Sequence, residues 1–133
     1  MSDFNKYTVL IVDDDDALRN TIVFDFKRKG FNVLSADNVA PAFELVKQNK
    51  VDLVISDMQM PGATGIDLLA MIKALNSNLP LVIFATGLSD LTADECISKG
   101  AFAVVPKPFD RAFMMSTVER ALKIVDDSRI KLS

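Results

Sequence analysis

Short apolar runs alternate with longer amphipathic stretches along the whole chain. Residues 7–12 (YTVLIV) form a compact, β-branched run of strand length, and 51–55 (VDLVI) and 81–85 (LVIFA) are of the same kind. Residues 31–36 (FNVLSA) and 102–105 (FAVV) are weaker strands. The stronger runs are nearly continuous rather than alternating, which suits strands covered on both faces.

Between these runs the apolar period becomes that of a helix. Leu18, Ile22 and Phe26 repeat at i, i+4, and the segment ends in KRK followed by Gly30, a natural stop. Residues 38–48 carry Val39, Phe43 and Val46, with Pro41 in the first turn, where proline is tolerated. Residues 65–75 (GIDLLAMIKAL), residues 90–99 closed by Gly100, and residues 110–125 (DRAFMMSTVERALKIV) complete five helices.

Five strands alternating with five helices predict an open, doubly wound α/β fold. This is a (βα)5 flavodoxin-like three-layer sandwich around a five-stranded parallel sheet. No linker, repeat or low-complexity tract divides the chain. All 133 residues therefore read as one domain, 1–133, with a core over about 7–125 and a short C-terminal tail, 126–133 (DDSRIKLS).

Composition narrows the chemistry. Half of the residues are apolar, and the single Cys96 forms no internal disulfide. The absence of histidine excludes His-assisted nucleophiles, imidazole zinc sites and a phosphohistidine carrier role. Fifteen basic residues against 18 acidic ones, without a basic stripe, argue against direct nucleic-acid binding. No apolar run has membrane-spanning length and the N-terminus lacks a signal pattern, so a cytoplasmic protein without membrane insertion is expected.

In a doubly wound sheet the crevice lies beyond the carboxyl ends of the strands. Here those ends carry Asp13 and Asp14 within a run of four acids, Asp57, Thr86 and Lys107. Converging carboxylates repel one another and call for a cation, and all-oxygen ligands favour Mg²⁺, with Mn²⁺ a plausible substitute. With the ammonium of Lys107 and the hydroxyl of Thr86 added, the cluster suits a phosphoryl group, and one carboxylate can serve as its nucleophile. Asp57 stands alone before a Met-Pro-Gly turn while Asp13 and Asp14 remain free for metal, which marks Asp57 as the acceptor.

These residues sit in VLIVDDD (9–15), DLVISDMQMPGATG (52–65), FATG (84–87) and GAFAVVPKPF (100–109). In this order and spacing, the chain resembles a response-regulator receiver domain of two-component signalling, of the single-domain, chemotaxis-like type. The resemblance implies that Asp57 is the phosphorylated residue and that Asp13, Asp14, Asp57 and the Gln59 backbone carbonyl hold the metal. It implies that Thr86 is the switch hydroxyl, that Lys107 pairs with the phosphoryl group and that the Lys107–Pro108 bond is cis. Gly87 leaves an access path beside Thr86, and Gln59 and Leu88 flank the site, where they are placed to tune hydrolysis. The implied partner is a sensor histidine kinase or histidine phosphotransfer protein, with a phosphatase or downstream target protein as a further partner. The domain supplies catalytic groups, although its role is signalling.

Two departures from the family pattern bear on switching. Val104 occupies the position where many receivers carry an aromatic switch residue, and Phe102, expected on the same strand face, offers a partial replacement. Pro106 replaces the small hydroxyl residue before the lysine. They keep open a phosphorylation-independent binding scaffold with a receiver fold. Asp13-x-Asp15 after the first strand keeps open a haloacid-dehalogenase-type phosphatase with Asp13 as nucleophile. Gly62 and Gly65 read as turn residues, Asp16 as a solvated first-turn acid, and Cys96 as a packed helix residue.

Overall fold

A computed structural model describes residues 4–87, 92–108 and 110–132. The apolar runs form five parallel strands: β1 (Thr8–Val12), β2 (Asn32–Ala36), β3 (Leu53–Asp57), β4 (Leu81–Thr86) and β5 (Ala103–Pro106). They lie in the order β2-β1-β3-β4-β5. The connecting helices are α1 (Asp16–Arg28), α2 (Val39–Gln48), α3 (Gly65–Leu75), α4 (Ala93–Ser98) and α5 (Arg111–Leu132).

Alternate side chains of the inner strands feed two cores, which is why those strands are apolar along most of their length. Val9, Ile11, Ile55 and Ile83 meet Ile22 and Phe26 of α1 and Val118, Leu122 and Val125 of α5. Leu10, Val12, Val54, Val82 and Phe84 meet Val39, Ala42 and Val46 of α2, Leu68, Leu69 and Ile72 of α3, and Cys96 of α4. Helices on both faces of a five-stranded parallel sheet give the expected three-layer (βα)5 architecture, with Cys96 buried as a packing residue.

Helix starts follow local chemistry. Asp15 caps α1 by accepting from the Leu18 N–H at 3.1 Å. Thr64–Asp67 and Thr92–Glu95 form capping boxes at α3 and α4. The Thr92 cap fixes the start of α4 at Ala93, later than the expected 90, which lies outside the described residues. Gly30 and Gly100 follow α1 and α4 at φ +103° and +113°.

Two expectations are corrected. The tail expected at 126–133 instead continues α5 to Leu132. Long-range partners hold it: the Tyr7 hydroxyl donates to Asp126 at 2.8 Å, and Arg129 pairs with Asp52, a carboxylate just ahead of β3 that is 1% exposed. Phe102 does not share a face with Val104. It lies in the bend before β5, where the backbone turns its ring towards the α1–α5 core and beneath the Arg120 guanidinium, 5.8 Å away. Val104, paired with Phe84 in register, faces the opposite core.

Candidate functional site

Four strands bring polar residues to the carboxyl end of the sheet. β3 runs on through Asp57 and β4 through Thr86, so both belong to the strands themselves, while Asp13 directly follows β1. Lys107 follows β5, whose last residue, Pro106, is opposite Thr86. Pro106 is tolerated because β5 is an edge strand, and the Lys107 N–H donates to the Thr86 carbonyl at 2.8 Å. The Lys107–Pro108 bond is cis, as the resemblance implied, and so is Leu79–Pro80.

Lys107 bridges the acids from these strand ends. Its Nζ donates to Asp13 Oδ2 at 3.0 Å and lies 3.4 Å from Asp57 Oδ1. Asp13 Oδ1 accepts from the Asp15 N–H at 2.9 Å. The Asp13 side chain is therefore engaged at both oxygens and only 3% exposed, whereas that of Asp57 is 13% exposed. This difference favours Asp57 over Asp13 as the group a phosphodonor can reach.

Burial pushes the Asp57 carboxyl above the ordinary aspartate value; the Lys107 charge opposes this and the Asp13 charge adds to it. Burial opposes the charge on Lys107, but its hydrogen bond to Asp13 and the two carboxylate charges more than offset that effect and raise its pKa. Each of Asp13, Asp14 and Asp57 offers a carboxylate oxygen within 4.8 Å of the others. An oxygen-only set grading from buried Asp13 to exposed Asp14 fits a hard divalent cation open to solvent on one side.

The remaining predicted residues are placed as follows. The Gln59 N–H points at Asp57 Oδ1 over 3.5 Å, at the limit of a hydrogen bond. Thr86 Oγ1 is buried without a hydrogen-bond partner among the described residues, leaving a hydroxyl available to a ligand. Gly87 is exposed, and a Cβ added there would meet no described atom within 4 Å, in keeping with an open approach. Leu88 lies outside the described residues.

Some supporting residues were missed or misread in the sequence. Gly65 is more than a turn residue: an added Cβ would stand 2.6 Å from the Asp57 carbonyl oxygen and 2.7 Å from the Phe84 ring. Its missing side chain lets α3 begin directly against the end of β3, a close approach that local pattern does not disclose. The buried Ser56 hydroxyl donates to the Asp57 carbonyl at 2.8 Å. Arg19 donates to the Asp13 carbonyl at 2.7 Å and to Asp16 at 2.6 Å, so Asp16 is an ion-pair partner rather than simply a solvated acid. The i, i+3 spacing of Asp16 and Arg19 was a signal for that pair.

Residues 9–119 match the family model of the response regulator receiver domain. The chain is 35% identical over 115 residues to the DNA-binding transcriptional regulator NtrC of Azospirillum brasilense, covering 86% of this chain and 24% of that protein. It is 35% identical over 118 residues to a cyclic di-GMP phosphodiesterase of Thermotoga maritima, covering 87% of this chain and 31% of that protein. It thus spans about a quarter to a third of the length of these curated relatives. A receiver domain protein from Clostridium thermocellum has a similar structure, with a TM-score of 0.84 at 28% identity over 93% of this chain and 98% of that one. A response regulator receiver protein from Pseudomonas putida gives 0.79 at 26% identity, over 86% and 96%. The family match begins inside β1 and ends inside α5, taking in every residue that meets at the strand ends. The chain belongs to the family of response regulator receiver domains.

Proposed function

We propose that this receiver takes a phosphoryl group onto Asp57 from a phosphohistidine of a sensor histidine kinase or a histidine phosphotransfer protein. The observation that carries the reading is the placement of Asp57 within 3.4 Å of the Lys107 ammonium and beside the Asp13 and Asp14 carboxylates. An Asp57 oxygen attacks phosphorus as the P–N bond breaks; the electron pair stays on the donor imidazole, which takes up a proton. Lys107 pairs with an oxygen of the transferring group, and the Thr86 hydroxyl is free to donate to another.

Asp13, Asp14, Asp57 and the Gln59 carbonyl are the proposed ligands for Mg²⁺, with Mn²⁺ as a substitute. When bound, the cation neutralises charge that four oxygen donors and a phosphoryl group would otherwise concentrate. Water then releases phosphate slowly, and the altered surface signals to a partner protein, with a phosphatase as a further partner.

No helix among the described residues is long and apolar enough to cross a membrane, and a cytoplasmic setting is part of the proposal. The relatives include a DNA-binding transcriptional regulator and a cyclic di-GMP phosphodiesterase, so the receiver is what they share with this chain. The single-domain, chemotaxis-like reading rests on the sequence resemblance alone. Incubation with a small phosphodonor tests the core reaction: one phosphoryl group should be gained by intact mass with Mg²⁺, and none after chelation. Equal labelling with and without the cation would overturn the proposal.

A further inference from the structure

Arg19 reaches back from α1 to the loop that carries the acidic residues. Its Nη1 donates to the Asp13 carbonyl oxygen at 2.7 Å, and its Nη2 donates to Asp16 Oδ1 at 2.6 Å. The Arg19 side chain is 15% exposed, against 80% for Asp16. A planar guanidinium held at two points fixes direction, which a single ammonium cannot do.

The acceptor it holds is significant. The Asp13 carbonyl belongs to the peptide group joining Asp13 to Asp14, so fixing that peptide sets the directions in which both carboxylates leave the chain. Pairing with Arg19 also engages Asp16 outside the group formed by Asp13, Asp14 and Asp57. Simple electrostatics acts the other way, because a fixed positive charge near three carboxylates opposes cation binding. The sign of the effect on metal affinity therefore separates positioning from mere charge.

We propose that Arg19 is a positioning residue for the cation site, acting through the main chain of Asp13. The inference rests on the reading of Asp13, Asp14 and Asp57 as cation ligands. Mn²⁺ binding to the full chain, followed by the electron paramagnetic resonance signal of the free ion without any phosphodonor, tests it. Arg19→Ala should weaken Mn²⁺ binding about tenfold, the lower end of what loss of a ligand-orienting partner costs. Arg19→Lys, which keeps the charge but cannot span both acceptors, should remain severalfold weaker than wild type. The metal-free melting temperatures of both should stay close to that of wild type.

Unchanged or tighter binding by Arg19→Ala, or full restoration by Arg19→Lys, overturns the inference. If Arg19→Ala does not fold, the comparison of Arg19→Lys with wild type carries the same test. Mn²⁺ binding by wild type that the variants fully share sinks only the role of Arg19. Failure of wild type to bind Mn²⁺ overturns the ligand reading and the inference with it.

Discussion

The Lys107 ammonium lies 3.0 Å from the Asp13 carboxylate, close enough to hold it while remaining within 3.4 Å of Asp57. One cation thus ties the end of β1 to the end of β3 from a residue that follows β5. The contact unites folding and chemistry, because Asp13 is a buried acid that would otherwise face Asp57 with little to separate their charges.

Replacing Lys107 with Ala should therefore affect both. Phosphoryl transfer to Asp57 should slow by about 100-fold, as expected for loss of one preorganised donor to a charged transition state. Urea unfolding at neutral pH should show a loss of about 1–3 kcal/mol from the unpaired buried acid. The Lys107 pKa is raised above 10.5, so its stabilising contribution is fully present below that value and is lost as pH rises through the folded-state pKa. The stability gap between variant and wild type should narrow accordingly in strong alkali.

Asp57→Asn should have the opposite effect on the metal-free protein. Burial holds the Asp57 pKa above 3.8, which means that ionised Asp57 costs the folded state stability. The variant should melt higher than wild type at neutral pH. That gain is complete above the raised folded-state value, fades as pH falls, and disappears below 3.8. Added Mn²⁺ should reverse the order by stabilising wild type more. Melting curves across pH, with and without the ion, check both statements.

Gly65 and Gly62 should respond differently to alanine. At Gly65 the new methyl meets the Asp57 carbonyl at 2.6 Å and the Phe84 ring at 2.7 Å, so overpacking should cost about 1–3 kcal/mol. At Gly62 there is space, but φ is +84°, and the strain of an L-residue there should cost about 1 kcal/mol. Urea midpoints compare the two, and only Gly65→Ala should also slow phosphorylation by displacing the end of β3.

The last turns of α5 should prove structural. Arg129→Ala leaves the buried Asp52 carboxylate without its ion pair and should cost about 3 kcal/mol. Truncation after Val125, which also removes the Asp126 acceptor of Tyr7, should cost at least as much. Chemical denaturation measures this, and a loss below about 0.5 kcal/mol, as expected of a surface tail, would contradict it.

This contrast shows where sequence was informative. The strands were legible because burial on both faces leaves runs such as VLIV, and α3 was found at Gly65–Leu75 from its apolar pattern alone. Asp13, Asp57, Thr86 and Lys107 were legible because strand ends in a parallel sheet converge whatever the loops do. The extension of α5 was not, since it depends on partners as distant as Tyr7, 119 residues from Asp126. Nor was the turn of Phe102 away from Val104: alternation holds within a strand, and Phe102 lies just outside one. Gly65 was read by its turn-forming habit, although its role here is steric.

The identity of the phosphorylated residue tests the account most directly. An acyl phosphate can be trapped by borohydride, which reduces the modified aspartate to homoserine, and peptide mass spectrometry then locates it. After treatment with phosphodonor and Mg²⁺, homoserine should appear at position 57 and be absent from the Asp57→Asn protein. Homoserine at position 13, or undiminished labelling of the Asp57→Asn protein, would contradict the account.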